Sequence, residues 1–484
     1  MLLHQYTLHS LRAAIQSGET TAPAIFAHFR ERALQYNSAL AAMATIAETP
    51  ATFARSDTPL AGIPLGIKEV FAQSGVRTSA GSRIIEHFAP PYNATLIERL
   101  KQAGMSNIGT CNMDEFAMGS SGENCAFGPS HNPWALDRVP GGSSSGSAVA
   151  VAAGLVPASL GTDTGGSVRT PASLCGIVGF KPTYGRNSRY GVIAMASSLD
   201  CPGTFTRDIQ DAAMLYEITA GADPLDSTSL VDPVTINPAI WDRQDLKGIR
   251  VGVPSSYFRE GLDHRVEREI RAAIETMRSL GAEIIDIELP NSDYGLAVYY
   301  IIMAAEASTN LARYDGIRFG HTSAAPENIA RNRSEGFGPE PTRRIMLGSF
   351  VLSSGFYDAY YKRAALVREL IRNDFKKAFE KVDVIVGPVL PTVAWKIGEK
   401  VNDPLKMYLA DVYTVPPSLA GIPGLSLPIG FATPEDDSGD TVELPVGLHM
   451  LADHLQEERL FEVAHVLEQA LASKLAGKIP DILK

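Results

Sequence analysis

Two glycine- and serine-rich segments in the middle of the chain, at 141–147 and 161–167, carry side chains suited to acyl transfer. Ser143 lies in the first segment and Ser167 in the second, and Lys68 stands upstream among the apolar residues of GIPLGIKE. A serine hydroxyl supplies a nucleophile or a proton relay, and a desolvated lysine can act as a base. Glycine lets the backbone come close to a ligand and turn its N–H groups toward developing negative charge. These residues predict acyl transfer that does not use histidine.

The order and spacing of these residues resemble those of the amidase signature family. The resemblance implies that Ser167 is the nucleophile, that Ser143 follows a cis peptide bond and relays a proton, and that Lys68 is the base. Backbone N–H groups of the second loop can bind the oxyanion. We expect the donors to be those of Thr164, Gly165, Gly166 and Ser167.

A lysine base requires a pKa far below its ordinary value. Free lysine has a pKa of about 10.4, so a base near neutral pH needs a depression of roughly 3 units. Burial of Lys68 among apolar neighbours is the available cause, and a nearby carboxylate would oppose it. Glu69, which stands where relatives usually carry aspartate, is therefore expected to point away from the amine.

Other interpretations of the two loops compete with acyl transfer. A lone Gly-Gly-Ser segment is often only a flexible turn. A phosphate-binding loop is disfavoured, because neither segment has GxxxxGK[ST] or GxGxxG spacing. Ser145 and His449 depart from the family pattern, which commonly has glycine and glutamine there. Ser145 matters if its position requires a positive φ, and His449 is interpreted as a structural exchange that can still hydrogen-bond.

Segments beyond the loops resemble the glutamine-hydrolysing subunits of tRNA-dependent amidotransferases, which belong to the same family. The segments include 112–124, 181–200, 306–320, 333–364 and 403–424. This wider resemblance implies a pocket for free glutamine.

In that pocket, Arg344 matches the arginine that binds the α-carboxylate, and its planar guanidinium suits a carboxylate better than lysine would. Asp411 matches the acid that receives the α-ammonium. Tyr299 or Tyr300 closes the pocket, and the sequence does not choose between them. The alternative for Arg344 and Asp411 is a surface ion pair.

The resemblance also implies partners. It implies that the chain hydrolyses glutamine through an acyl-enzyme and passes ammonia to a B subunit, which would use ATP and Mg²⁺ to amidate Glu-tRNA(Gln). A small C subunit would complete a heterotrimer. This chain is expected to need no cofactor and no metal of its own. Two alternatives stay open, a stand-alone amidase acting on another small amide and a catalytically silent scaffold subunit.

Composition limits the remaining possibilities. The net charge of −11 argues against a broad basic face, so a partner is expected to hold most of the tRNA. The four cysteines lack CxxC spacing, which predicts buried reduced thiols, and the histidines lack HExxH spacing for zinc. Gly154 and Pro157 interrupt the best apolar run, and the N-terminus lacks the apolar centre of a signal peptide. We therefore expect a soluble, cytoplasmic protein.

Strand and helix patterns predict an α/β fold, with a long mixed and largely parallel central sheet covered by helices. The clearest unit spans 249–289, where a helix capped by Asp263 and ended by Gly281 connects two strands. A second unit pairs a helix over 357–379 with a strand over 382–386.

The whole chain, 1–484, is expected to form a single domain. Its amidase core covers about 60–210, and an N-terminal helical segment of about 1–45, with a stop at Gly18, packs on that core. The acidic stretch at 433–441 is predicted to be a solvated loop.

Overall fold

Eleven strands form one continuous sheet within residues 2–49, 57–434 and 441–483, the part of the chain that the computed structural model describes. In chain order they are β1 Met43–Ile46, β2 Pro64–Lys68, β3 Ser106–Cys111, β4 Ser159–Asp163, β5 Val178–Lys181, β6 Cys201–Thr206, β7 Arg250–Pro254, β8 Glu283–Ile287, β9 Val384–Pro388, β10 Gly424–Ala432 and β11 Leu444–Ala452. Their spatial order is β1-β3-β2-β4-β6-β5-β10-β11-β9-β7-β8.

Helices surround this sheet. They are α1 Leu8–Ser17, α2 Ala22–Leu40, α3 Thr95–Gln102, α4 Ser145–Ala152, α5 Arg169–Cys175, α6 Ile209–Thr219, α7 His264–Ser279, α8 Gly295–Leu311, α9 Ile329–Gly336, α10 Pro339–Val351, α11 Arg363–Phe379, α12 Pro404–Leu409, α13 Val415–Ala420 and α14 Glu457–Leu475. The predicted α/β fold with a mixed central sheet is therefore confirmed. Among the described residues, none of the helices combines the length and the apolar character needed to cross a bilayer.

The expectation that the sheet is largely parallel is wrong. Parallel pairs join β2 to β3 and β4, and β7 to β8 and β9. The six other pairings among the described strands are antiparallel, including all of those between β4 and β9 across the centre. The central strands β4, β5 and β6 are buried along their whole length, so they lack the alternation of buried and exposed residues that marks an antiparallel neighbour.

The predicted unit at 249–289 is confirmed. The Asp263 carboxylate accepts a hydrogen bond from the Arg265 N–H at the start of α7, and Gly281 follows the helix with a φ of +97°. β7 and β8 pair in parallel on either side of the helix. In the second predicted unit, a π-helical turn at Asp358–Lys362 precedes α11, and β9 begins two residues later than expected.

The N-terminal segment differs from the expectation at its end. α1 stops at Gly18, which has a φ of +80°, as predicted. The helical part ends at Leu40 and not near residue 45, because Met43–Ile46 forms strand β1. This strand pairs with β3 and is the edge strand of the sheet. The predicted loop at 433–441 falls mostly on 435–440, outside the described residues.

Apolar side chains on the two faces of the sheet form two clusters, and single strands contribute to both. In β9, Val384 and Val386 belong to one cluster and Ile385 to the other, all with no exposed surface. The predicted reduced cysteines are present as free thiols, three of them buried and Cys125 half-buried.

Candidate active site

Three elements, β2, β4 and α4, bring the predicted catalytic segments together at the carboxyl ends of two neighbouring strands. β2 and β4 are parallel neighbours, so their carboxyl ends lie side by side. β2 ends at Lys68, and β4 runs directly into the second glycine-serine loop. α4 begins immediately after the first loop, at Ser145. A buried strand end thus presents the lysine to both loops.

The Lys68 amine is completely buried and surrounded by hydroxyls. Its Nζ lies 2.8 Å from Ser143 Oγ, 2.9 Å from Ser144 Oγ and 2.8 Å from Thr162 Oγ1. The peptide bond between Gly142 and Ser143 is cis. Ser143 was predicted here, whereas Ser144 and Thr162 were not, although both stand inside the glycine-serine loops.

Burial lowers the pKa of Lys68 to about 7, against the opposing pull of the carboxylates of Asp114, Asp163 and Asp200. Desolvation therefore outweighs three nearby negative charges. Sequence reasoning missed these carboxylates, which lie far from Lys68 along the chain. Glu69 is directed elsewhere: it accepts a hydrogen bond from Ser79 and pairs with Arg77.

Ser167 lies almost buried in the second loop, 7% exposed, and lines a small cavity. The Ser144 N–H donates to the Ser167 carbonyl over 3.3 Å, which ties the two loops together. The loop is held from both sides. The Thr164 hydroxyl donates to Asp200 over 2.8 Å, and the Thr414 hydroxyl donates to the Gly165 carbonyl over 2.6 Å.

The four residues expected to supply oxyanion donors, Thr164, Gly165, Gly166 and Ser167, form the turn between β4 and α5. Gly166 has a φ of +145°, and a side chain there would collide with Thr414. A Cβ on Gly165 would come within 2.7 Å of the Tyr299 ring. Close packing on both glycines holds this stretch of backbone in one conformation.

Arg169, just after the second loop, connects the site to β11. Its guanidinium pairs with Asp163 at 2.9 Å, and it lowers the pKa of that carboxyl to about 2 although burial acts in the other direction. Arg169 Nη1 donates to His449 Nε2 over 2.8 Å. Burial and this cation keep the pKa of His449 well below its ordinary value. His449 is therefore a neutral acceptor, which agrees with a structural exchange.

Ser145, the other departure from the family pattern, occupies the first position of α4. Its φ is not positive. Its hydroxyl lies 3.2 Å from that of Ser130. The Cβ at this position is accommodated without strain in the backbone.

The cavity that Ser167 lines also contains both charged residues predicted to bind glutamine. Arg344 and Asp411 are each only 5% exposed, so the alternative of a surface ion pair is wrong. Tyr299 and Tyr300 both line this cavity. Tyr299 packs against the second loop, whereas the Tyr300 hydroxyl donates to Asp411 over 3.1 Å.

The environment of Asp411 suits an ammonium ligand. Burial raises the pKa of Asp411 to about 6, and hydrogen bonds from Ser120 and Tyr300 together with the Arg344 charge work against that rise. The Ser120 hydroxyl donates to Asp411 Oδ2 over 2.6 Å. Sequence reasoning missed Ser120, although it lies in the 112–124 segment that carried the wider resemblance.

A separate group of ionisable side chains lies at the start of α1. His9, Asp208 and Asp211 are close enough to share an ion. Asp211 already accepts hydrogen bonds from the His9 ring and from the N–H groups of Leu8 and His9, and Asp208 caps α6. These carboxylates therefore hold helix starts together.

Comparison with known proteins agrees with this geometry. A family model described as Amidase matches residues 13–461. The A subunit of the glutamyl-tRNA(Gln) amidotransferase of Thermoanaerobacter pseudethanolicus is 48% identical over 485 residues, covering 97% of this chain and 97% of that protein. Its counterpart from Oleidesulfovibrio alaskensis is 52% identical over 475 residues, covering 97% of this chain and 95% of the relative.

Among solved structures, that of the A subunit of glutamyl-tRNA(Gln) amidotransferase from Thermotoga maritima matches with a TM-score of 0.83 and 37% identity. The match covers 97% of this chain and 95% of that one. The residues that the family model matches span both glycine-serine loops, Arg344 and Asp411.

Proposed function

The chain belongs to the amidase family, and from this premise we propose that it is the glutamine-hydrolysing subunit of a glutamyl-tRNA(Gln) amidotransferase. The observation that carries the proposal is the cavity in which Ser167 faces one buried cation, Arg344, and one buried anion, Asp411. Free glutamine carries an α-carboxylate and an α-ammonium on one carbon, so its recognition needs one charge of each sign in the cavity that the nucleophile lines.

The reaction starts with proton removal from Ser167. Neutral Lys68 accepts the proton of Ser143, while Ser143 takes that of Ser167. The Ser167 oxygen then attacks the side-chain amide carbon of glutamine. Backbone N–H groups of the second loop, Thr164 to Ser167, stabilise the oxyanion, and losing one such donor typically costs about 2.7–4 kcal/mol.

Collapse of the tetrahedral intermediate breaks the carbon–nitrogen bond. The proton held by the relay goes to the leaving nitrogen, which departs as ammonia and leaves a glutamyl ester on Ser167. Water then attacks the ester after giving a proton to the same relay. Glutamate leaves, and Ser167 recovers its hydrogen.

Ammonia released here serves a second reaction on a partner. Relatives that are about 50% identical to this chain are named as subunits of an amidotransferase. We therefore propose B and C subunits as the partners of this chain. The B subunit activates Glu-tRNA(Gln) with ATP and Mg²⁺ and receives the ammonia. The chain's net charge of −11 supports leaving most of the tRNA contact to the partner.

Ammonia release from glutamine tests the proposal, measured for the chain alone and with the B and C subunits plus charged tRNA. We expect release that requires Ser167 and increases with the partners. Ser167→Ala should reduce release to background, whereas Ser279→Ala, an exposed serine on α7, should behave as wild type. Activity on neutral amides without activity on glutamine would instead favour a stand-alone amidase, and an inactive complex would favour a scaffold.

A further inference from the structure

The arginine of the cavity is itself held by a carboxylate that the reaction does not use. Glu340 lies one turn before Arg344 on α10 and is 8% exposed. Its Oε1 accepts a hydrogen bond from Arg344 Nε over 2.6 Å and another from the Tyr408 hydroxyl over 3.2 Å. One carboxylate oxygen thus joins the arginine on α10 to a tyrosine on α12.

The Tyr408 ring in turn contacts Tyr300, which binds Asp411, the negative charge of the cavity. It stacks on the Tyr300 ring, with centroids 4.0 Å apart and planes inclined by 24°. The Arg344 guanidinium carbon lies 4.5 Å from the Tyr300 centroid and 4.7 Å from that of Tyr408. The Tyr300 hydroxyl donates to Asp411. A chain of direct contacts therefore runs from the cation to the anion.

The contact with Glu340 also decides which edge of the guanidinium is available. Nε is occupied by Glu340, whereas Nη1 lies 3.5 Å from the sulfur of Met303, which is a weak acceptor. A carboxylate ligand can replace that sulfur contact, because a charge-assisted hydrogen bond is much stronger. Without Glu340 the arginine would keep only its contacts with the two rings and the Met303 sulfur, so the ligand would have to complete its ordering at a cost in side-chain entropy.

We propose that Glu340 and Tyr408 are positioning residues that fix the orientation of Arg344 and its separation from Asp411. They thereby set the selectivity for an amide that carries both a free α-amino and a free α-carboxylate group. The inference rests on the proposed function, since it concerns recognition in the same cavity. Neither residue touches the reacting atoms, so their effect is on binding and not on the chemical step.

The test compares steady-state kinetics on glutamine with kinetics on a neutral aliphatic amide of similar size, using the chain in its complex. Glu340→Ala is expected to raise KM for glutamine at least about tenfold and to leave kcat within about twofold. The kcat/KM for the neutral amide should stay within about twofold of wild type.

Two conservative variants separate positioning from folding. Glu340→Gln keeps an oxygen that accepts from Arg344 Nε, so it should restore most of the affinity for glutamine. Tyr408→Phe keeps the ring stack and loses only the hydroxyl, and it should raise KM about threefold without changing the melting temperature. Glu335→Ala is the matched control, because Glu335 forms an exposed pair with Arg331 at the same helical spacing and should leave all parameters unchanged.

The outcomes distinguish the inference from the function on which it rests. Equal loss of kcat/KM on both substrates, or wild-type KM in Glu340→Ala and Tyr408→Phe, would overturn the positioning role while the glutaminase activity stands. If Glu340→Ala does not fold, the KM of Tyr408→Phe decides. Absence of glutamine hydrolysis in the wild-type complex would overturn both the proposed function and the inference.

Discussion

At the scale of the residue, the proposed chemistry depends on one buried amine. Lys68 has three hydroxyls within hydrogen-bond distance, and the nearest carboxylates act on it through space without contacting it. A direct ion pair would keep the amine protonated, whereas hydroxyls can accept from it when charged and donate to it when neutral. Burial can therefore lower its pKa without leaving the group unsatisfied.

The pH dependence of acylation follows from that pKa. Because burial lowers the pKa of Lys68 to about 7, the neutral amine becomes the main form only above that pH. The acylation rate on glutamine should therefore increase as pH rises through about 7 and level off above it. Between pH about 7 and about 10, Lys68 is protonated in the unfolded chain and largely neutral in the folded one. The free energy of unfolding should therefore increase as pH rises through this range.

Replacement of Lys68 separates a base from a fixed positive charge. Lys68→Arg should be nearly as inactive as Lys68→Ala, because arginine keeps the charge but cannot lose its proton in the accessible pH range. Single-turnover acylation rates measure this directly. An arginine variant with substantial activity would rule out the role of Lys68 as base.

Selectivity for glutamine should depend on both charged residues of the cavity. Arg344→Ala and Asp411→Ala each leave one charge of the zwitterion unpaired, at a cost of roughly 2–5 kcal/mol in a dry site. A neutral amide loses no such pairing, so the ratio of kcat/KM for glutamine to that for a neutral amide should fall in both variants. A ratio that stays at the wild-type value would remove the pocket assignment and favour a stand-alone amidase.

At the scale of the element, the cavity is built where α8 crosses α10. α8 carries both tyrosines of the cavity, and α10 carries Arg344. The helices approach closely at Gly348, where a Cβ would collide with the backbone carbonyl of Ala304. Glycine costs intrinsic helix stability in the middle of α10, and the close approach is what requires it.

Gly348→Ala should therefore be destabilising although alanine is the better helix former. Overpacking of this kind costs about 1–3 kcal/mol, and separating the helices should also raise KM for glutamine. Ser349→Ala, at the next and exposed position of α10, is the control and should be neutral or slightly stabilising. Thermal melts combined with glutamine kinetics check both effects; unchanged stability in Gly348→Ala would show that the helices can separate freely.

At the scale of the whole molecule, one sheet connects everything that carries the site. Neighbouring residues of a single strand point to opposite faces and enter different apolar clusters, as Ile385 and Val386 do in β9. Loss of either cluster therefore removes support from the same strands. We expect the predicted single domain to unfold as one unit.

Core truncations on the two faces test that expectation. Ile385→Ala and Val386→Ala truncate completely buried side chains; the isoleucine change should cost about 2–5 kcal/mol and the smaller valine change less. Both variants should shift one common transition, followed by circular dichroism and by intrinsic fluorescence. Two separate transitions, each sensitive to only one of the variants, would divide the chain into independent units.

The sequence by itself determined the features that are encoded within a few neighbouring residues. The glycine-serine loops, the lysine among apolar residues and the capped helix of the 249–289 unit are all local patterns. Their types and spacing were sufficient to predict the α/β class, the family and the positions of Lys68, Ser143 and Ser167. Arg344 and Asp411 were identified because each stands in a segment that resembles the family.

Tertiary structure alone decided which distant residues meet. Asp114, Asp163 and Asp200 surround the proposed base, and Tyr408 on α12 meets Glu340 and the cavity arginine on α10, although no pattern in the chain links these distant residues. The antiparallel centre of the sheet was equally hidden, because strands buried on both faces carry no sign of direction. Contacts between residues far apart in the chain arise only when the sheet assembles, and they set the pKa values and charge positions on which the chemistry depends.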